Sequence, residues 1–542
     1  MQRLAVIGLD AAEPRLIDRL IAQGELPTLA RLKKSGARCT LHSEATWRAG
    51  RVWETLLTGT ADFPSANLFD RDRYISWQLG SRKKTPFYAD IPGLNVLAID
   101  VPYMSLWYDA PGAQVIWGGH DAGYPRASRP AGLVREIDAK FGVHPAFKND
   151  FTCPWWDERS IDTLADALIV GSQRRCEIIR WLHERFPDWN LFMTVLSEAH
   201  SAGEIFWHGV AENHPLAGAA TAPLARRRLI ETYRELDQAV ARIIDALPQG
   251  TRVLVTSVHG MEENDYDVAS MALLPELLYR AWSGKPRLRA IDAKIWRMHG
   301  CPPIVPSGRE KWSDYMEKRF GPRTPGRMLR DAARMLGLTG QSKPPIHELS
   351  VPIKPEVEAA PDQIDQPRTT LDWQVTSWYR RFWPQMRAFA LPVFYDGRVR
   401  INLKGREKRG IVEASDYAAT CDWVEQLLGQ CRDLRTGQPV VSNIERRNAA
   451  DPLAESAADA DLIVTWNPQI EGIEHPRLGT IGPFPYRRTG GHTDHGFAWL
   501  CGPGIAAQDF GEQEALGMTA TIRQLLGDAR AGRSVFERRR AA

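Results

Sequence analysis

Leu4-Ala5-Val6-Ile7-Gly8-Leu9-Asp10-Ala11-Ala12-Glu13-Pro14 decides the fold. Leu4 to Leu9 is a short, β-rich apolar run, and the residues from Asp10 to Pro14 end it. A helical pattern follows at Leu16, Ile17, Leu20 and Ile21. Strand, polar turn and helix form the opening of an α/β unit. The same kind of run recurs at Leu94 to Ile99, ending at Asp100, and at Val115 to Trp117, followed by Gly118, Gly119, His120 and Asp121. It recurs again at Leu191 to Leu196, ending at Ser197 and Glu198, and at Val253 to Val255, reaching His259-Gly260. Helical spacing separates most of these runs, for example at Leu229, Leu236, Val240, Ile243, Ile244 and Leu247. Continuous apolar strands alternating with helices predict a mainly parallel sheet covered on both faces, a three-layer α/β/α sandwich.

The stretch from Ser283 to Asp365 breaks this rhythm with Pro302, Pro303, Pro306, Pro344 and Pro345. It reads as an inserted subdomain with helix at Tyr315 to Phe320 and Arg327 to Leu336, able to hold a lid or a homo-oligomer contact. Trp373, Trp378 and Trp383 follow, an aromatic stripe that reads as packing. Strand signals resume at Ala388 to Val393, Arg398 to Leu403, Leu462 to Trp466 and Phe497 to Leu500, and a last helix begins at Ile522. The expected division is a core over 1–282, an insertion or cap over 283–385, the rest of the core over 386–530 and a basic tail over 531–542.

Lys plus Arg number 69 and Asp plus Glu 66, so the formal charge of +3 gives no reason to expect nucleic acid or an anionic membrane surface as partner. No stretch reaches the roughly 18 apolar residues of a membrane span, and Leu4 to Leu9 is too short for a secretory leader. The seven cysteines are scattered and odd in number, which fits a reducing compartment and makes the cytoplasm the expected location.

Four constellations can carry chemistry. Asp10 follows a buried strand, where open α/β sheets place ligands, although a lone Asp there is as readily a turn or cap residue. In Ser197-Glu198-Ala199-His200-Ser201-Ala202-Gly203-Glu204, a helix after Ser197 would set His200 and Glu204 on one face at i and i+4, either as zinc or manganese ligands or as a surface pair. His259, beside Gly260 at a strand end, is either a ligand or a structural histidine. In Arg487-Arg488-Thr489-Gly490-Gly491-His492-Thr493-Asp494-His495-Gly496, the glycines allow close approach to a ligand and the arginines can meet phosphate oxygens, or the arginines are solvated on a polar loop.

The opening segment, Leu26-Pro27-Thr28-Leu29 with Leu32 and Gly36, and Val52-Trp53-Glu54-Thr55-Leu56-Leu57-Thr58-Gly59 resemble the type I phosphodiesterase and nucleotide pyrophosphatase branch of the alkaline phosphatase superfamily. Asn402-Leu403-Lys404-Gly405-Arg406-Glu407 with Gly410 resembles its late N-x-x-G-R-E-x-x-G segment, and Gly491-His492 with Gly496 and Gly502-Pro503-Gly504 resembles its last metal histidine and the strand behind it. The resemblance implies an alkaline phosphatase-like sandwich and one or two divalent ions, usually Zn2+ with Mn2+ as an alternative. It assigns the metal positions to Asp10, His200, Glu204, His259 and His492.

This chain departs from the family pattern at several of those positions. His200 and Glu204 stand where the family has an Asp-x-x-x-His pair, and Val258-His259 stands where it has Asp-His. Ala49, without a hydroxyl, falls at the nucleophile position. The set His200, Glu204 and His492 can still hold an ion, whereas Asp10 and His259 need help from Asp100, Asp121 or Glu44. The expected activity is metal-dependent hydrolysis or transfer at a phosphate ester or diester by activated water, with Arg487 and Arg488 in support. Arg487, Arg488, His495, His120 and Asp121 are the candidate contacts to a small anionic, phosphate-containing substrate. The alternatives are a non-catalytic ligand-binding or regulatory relative and a metalloenzyme of different group-transfer chemistry.

Overall fold

A computed structural model of the protein describes residues 2–43, 51–61, 67–78, 85–107, 109–118, 126–146, 152–264, 266–322, 329, 333, 369–447, 450–453 and 460–537. Ala49, Glu44, His120, Asp121, most of the expected helix from Arg327 and the tail residues 538–542 lie outside the described residues.

A nine-stranded sheet forms the centre, in the order Gln508–Glu514, Ala37–His42, His495–Cys501, Arg252–Ser257, Leu4–Leu9, Leu191–Leu196, Val96–Ile99, Gly112–Ile116 and Ala127–Arg129. The five strands from Arg252–Ser257 to Gly112–Ile116 are parallel to one another. His495–Cys501 runs antiparallel to both its neighbours, and Ala127–Arg129 closes the far side antiparallel. The sheet is thus mainly parallel, with antiparallel strands only towards its edges.

Leu4–Leu9 shows why both faces are covered. Every residue of this strand is buried. Ala5, Ile7 and Leu9 join one apolar core, while Leu4 and Val6 join a second. Side chains of a strand alternate between faces, so this split is the two-residue period made visible. The first core packs under the long helices Glu158–Arg185 and Ala222–Asp245; the second packs under Val52–Thr58 and Gly517–Leu525. Fully burying each Leu or Ile contributes roughly 1.5–3 kcal/mol, so a strand apolar on both faces has one stable place, between two helical layers.

Gly8 interrupts the run for a packing reason. A Cβ there would lie 2.5 Å from the Trp53 ring and 2.8 Å from Val195. Its absence lets Trp53 cross the strand and donate its indole N–H to Asp10 Oδ1 at 2.5 Å.

The stretch 386–530 contributes strands to four sheets, including a small three-stranded one of Arg432–Asp433, Ile473–His475 and Gly479–Ile481. Ala388–Leu391, Gly397–Ile401, Leu462–Trp466 and Val441–Arg446 build a separate four-stranded antiparallel sheet, and the chain rejoins the central sheet only from His495. The Asn402 to Gly410 segment sits in this second sheet region as a staple. Arg406 grips Asp461 through two bonds of 2.7 Å, Glu407 pairs with Arg400, and all four side chains are buried. Trp383 is buried and stacks on Phe389 with ring centroids 4.9 Å apart, a packing role as its spacing suggests.

Candidate metal centre

Three neighbouring strands of the parallel sheet end together. Asp10 follows Leu4–Leu9, the helix Glu198–Phe206 follows Leu191–Leu196, and His259 follows Arg252–Ser257. Their parallel register brings all three carboxyl ends to one edge. The fourth component arrives on a small two-stranded antiparallel sheet. Gly490–Thr493 pairs antiparallel with Gly260–Glu263, and Met261 stands opposite His492. That pairing sets the His492 ring 4.5 Å from the His259 ring and 4.9 Å from the His200 ring.

Gly490 and Gly491 are explained by close contact. A Cβ on Gly490 would lie 2.1 Å from the carbonyl oxygen of Gly203, and one on Gly491 would lie 2.8 Å from the Tyr266 hydroxyl. Gly490 permits its strand to lie directly on the helix that carries His200 and Glu204, and Gly491 permits the close approach of Tyr266 and Asn264. The expected loop for ligand approach is therefore a packed strand.

The donor atoms of His200, Glu204 and His492 lie within 4.8 Å of one another. His200 Nε2 is 3.8 Å from Glu204 Oε1. His492 Nε2 is buried with no hydrogen-bond partner. Burial, reinforced by His259, His200 and Arg488, holds His492 well below the usual histidine range, against the opposing pull of Asp10. It is therefore a neutral imidazole, the form that ligates metal. Two imidazoles, one carboxylate and an orphaned ring nitrogen fit one divalent ion with an open position.

The other half of the site does not fit an ion of its own. Asp10 Oδ1 accepts the Trp53 indole N–H, and His259 Nε2 is 3.7 Å away. Val258 is apolar and buried where the family pattern has a carboxylate. Asp100, a possible helper, is directed elsewhere: it accepts from the backbone of Trp117 and Gly118 and pairs with buried Arg175 at 2.9 Å.

Arg487 and Arg488 are neither solvated nor aimed outward. Both are buried. Arg488 donates from Nε to Asp267 Oδ2 at 2.9 Å and pairs through Nη1 with Glu204, while Arg487 reaches Asp267 at 3.3 Å. Burial pushes Arg488 down to about 9 and raises Asp267 to about 6, so Arg488 stays cationic at neutral pH. Their two charges face the carboxylates of Asp267 and Glu204 and balance them. A divalent ion would make this balanced group positive and favour an anion.

Beside His492 lies a cavity of about 380 Å3, lined by Glu262, Glu263, Tyr266, Tyr395, Asp396 and Trp466 among others. The Tyr395 ring, 5.4 Å from His492, joins cavity and metal centre. Nothing in the local sequence marks this aromatic and acidic wall beyond Glu262 and Glu263 following closely on His259. His495 stands elsewhere, with His42 and Asp494.

Residues 4–298 match the family described as Type I phosphodiesterase / nucleotide pyrophosphatase, over half of the chain, and the protein belongs to that family. No curated protein sequence matches significantly. Among solved structures, an inactive variant of murine ectonucleotide pyrophosphatase / phosphodiesterase 5 in complex with AMP is similar at 10% identity and a TM-score of 0.42, covering 98% of this chain and 97% of that one. Alkaline phosphatase PafA is similar at 10% identity and a TM-score of 0.47, covering 97% and 96%. No helix among the described residues is long and apolar enough to cross a membrane.

Proposed function

We propose that the protein hydrolyses a phosphate ester or diester at one divalent ion, zinc or manganese, held by His200, Glu204 and His492. The convergence of these three donors within 4.8 Å at the strand ends carries this reading. When bound, the ion supplies Lewis-acid stabilisation of charge on phosphoryl oxygens. Ala49 offers no hydroxyl, so water is the nucleophile. His259 takes the proton of that water at a ring nitrogen, and Asp10, 3.7 Å from Nε2, provides the counter-charge and fixes the ring. The Trp53 N–H holds Asp10 in place. Arg488 orients Glu204 and tunes the charge of the site.

The cavity beside His492 receives the alcohol portion of the substrate. Its carboxylates Glu262, Glu263 and Asp396 repel further phosphates, so esters of neutral or cationic alcohols are favoured over nucleoside polyphosphates. The scattered, odd-numbered cysteines support a cytoplasmic setting.

One observation favours a second reading. Arg488 against Glu204 partly satisfies the carboxylate without any ion, as in a relative that binds an anion and does not turn it over. Elemental analysis of protein purified without chelator, together with hydrolysis of aryl phosphate mono- and diesters, separates the two readings. One bound ion and turnover abolished by chelator and by His492→Ala support the enzyme. Full metal loading with no turnover of any ester supports the binding protein. An inability to bind any divalent ion overturns the hydrolase reading and supports the anion-binding relative, whose Glu204 is matched by Arg488 alone.

A further inference from the structure

A second group of donors stands at the antiparallel side of the sheet. His42 is the last residue of Ala37–His42, and its direct cross-strand partner is His495, the first residue of His495–Cys501. Asp494 lies between them in space. His42 Nδ1 is 3.8 Å from Asp494 Oδ2, and His495 Nδ1 is 3.0 Å from Asp494 Oδ1. The donor atoms of all three lie within 4.8 Å of one another. The two rings meet edge to face, 4.8 Å apart, so both present nitrogen atoms to the same volume. His42 Nε2 and His495 Nδ1 are each shielded from water without a satisfactory hydrogen bond, and Glu512 Oε2 is 3.8 Å from His42 Nε2.

The backbone around this group is fixed. The amide and hydroxyl of Ser43 both donate to the Asp494 carbonyl, at 3.0 and 3.2 Å, and the amide of Ala515 donates to the His42 carbonyl at 2.8 Å. The side chains are only partly open, at 26% for His42, 27% for Asp494 and 33% for His495, so solvent can deliver an ion to a site whose frame is rigid.

We propose that His42, Asp494 and His495, with Glu512 as a fourth donor within reach, form a second site for a divalent transition metal. Two imidazoles and a carboxylate select zinc or its neighbours over magnesium and calcium, which prefer all-oxygen shells. Tetrahedral coordination at roughly 2.0–2.2 Å requires the donors to draw together slightly from their present spacing. The exposed end of Glu512 supplies the mobile member. The site ties Ala37–His42 to His495–Cys501, and through Glu512 to Gln508–Glu514. It is therefore a structural clamp on the sheet edge, at the point where the chain leaves Ser43 for the segment that includes Ala49. It does not depend on the hydrolytic reading of the other centre.

Chelator-treated protein titrated with Zn2+ tests this, with bound metal and melting temperature read for wild type, His42→Ala, His495→Ala, Asp494→Asn and His492→Ala. Loss of an outer partner alone costs roughly 10–100-fold in metal affinity, so removing a direct ligand here should weaken one class of ion by more than about 100-fold. That class should survive in His492→Ala, and its contribution to melting temperature should vanish in His42→Ala. Asp494→Asn preserves shape and gives the same answer if the histidine variants fail to fold. Unchanged stoichiometry and affinity in His42→Ala, His495→Ala and Asp494→Asn overturn the proposal, as does a wild type whose every bound ion disappears in His492→Ala. A single ion lost in His42→Ala but kept in His492→Ala upholds this site and sinks the metal assignment of the other.

Discussion

The two halves of the principal site share one sheet edge and differ in what their donors already touch. In the richer half, His200, Glu204 and His492 converge, and an imidazole nitrogen of His492 has no other partner. In the poorer half, Asp10 is engaged by Trp53 and faces His259, with Val258 beside them. Ligand residues at the right places in a fold are thus insufficient. A carboxylate is engaged in both halves, Asp10 by the Trp53 N–H and Glu204 by Arg488, so what sets the richer half apart is its second imidazole and the unpartnered nitrogen of His492.

The largest effect expected from breaking this comparison is in the richer half. His492→Ala should remove the ion of this centre and abolish hydrolysis, with at least a hundred-fold loss in metal affinity as removal of a direct ligand implies; metal content and turnover measured on one sample check it. Next comes Arg488→Ala, which leaves Glu204 and Asp267 buried without their shared cation. Breaking a buried pair costs about 3–5 kcal/mol, so chelated variant protein should melt well below wild type, and zinc should restore part of the loss by taking over Glu204.

The poorer half offers smaller effects. Trp53→Phe removes the N–H that holds Asp10 and should cost about 1.5–3 kcal/mol, seen as a lowered denaturation midpoint. Combined with Val258→Asp, it should let the poorer half bind an additional ion, detectable as one further equivalent of zinc that Val258→Asp alone holds more weakly. An unchanged stoichiometry in the double variant would mean that the nucleophile position also limits this half.

The smallest expected effect is a pH dependence at the edge of the site. Burial raises Glu13 from 4.5 to about 6, outweighing its hydrogen bonds from the Arg15 and Met261 amides. A carboxyl raised on folding stabilises the native state fully below its unfolded value. That contribution is lost as pH rises from about 4.5 through about 6, amounting to about 2 kcal/mol. Glu13→Gln keeps the shape and should flatten stability between those pH values; an identical pH profile would show that Glu13 does not titrate there.

Much of the architecture was legible because burial leaves a local mark. Leu4 to Leu9 and Leu191 to Leu196 are strands over the whole expected range, since strands covered on both faces must be apolar throughout. Ala37–His42 was not legible as a strand: its residues alternate between core and surface, and Arg38, Thr40 and His42 mask the signal. With that strand missed, His42 and its partnership with His495 were invisible. Arg487 and Arg488 read equally well as anion-gripping or solvated, because nothing local announces Asp267, more than two hundred residues earlier in the chain.

The sequence by itself determined the α/β class, the family likeness and the residues able to ligate metal, because apolar period, strand-end carboxylates and imidazoles are properties of short segments. Only the tertiary structure decided which donors meet, which are already satisfied and which arginine neutralises which carboxylate. Those outcomes depend on register between strands and on a strand pair joining residues near 260 and 490, and such distant pairings are fixed by packing that no local pattern encodes.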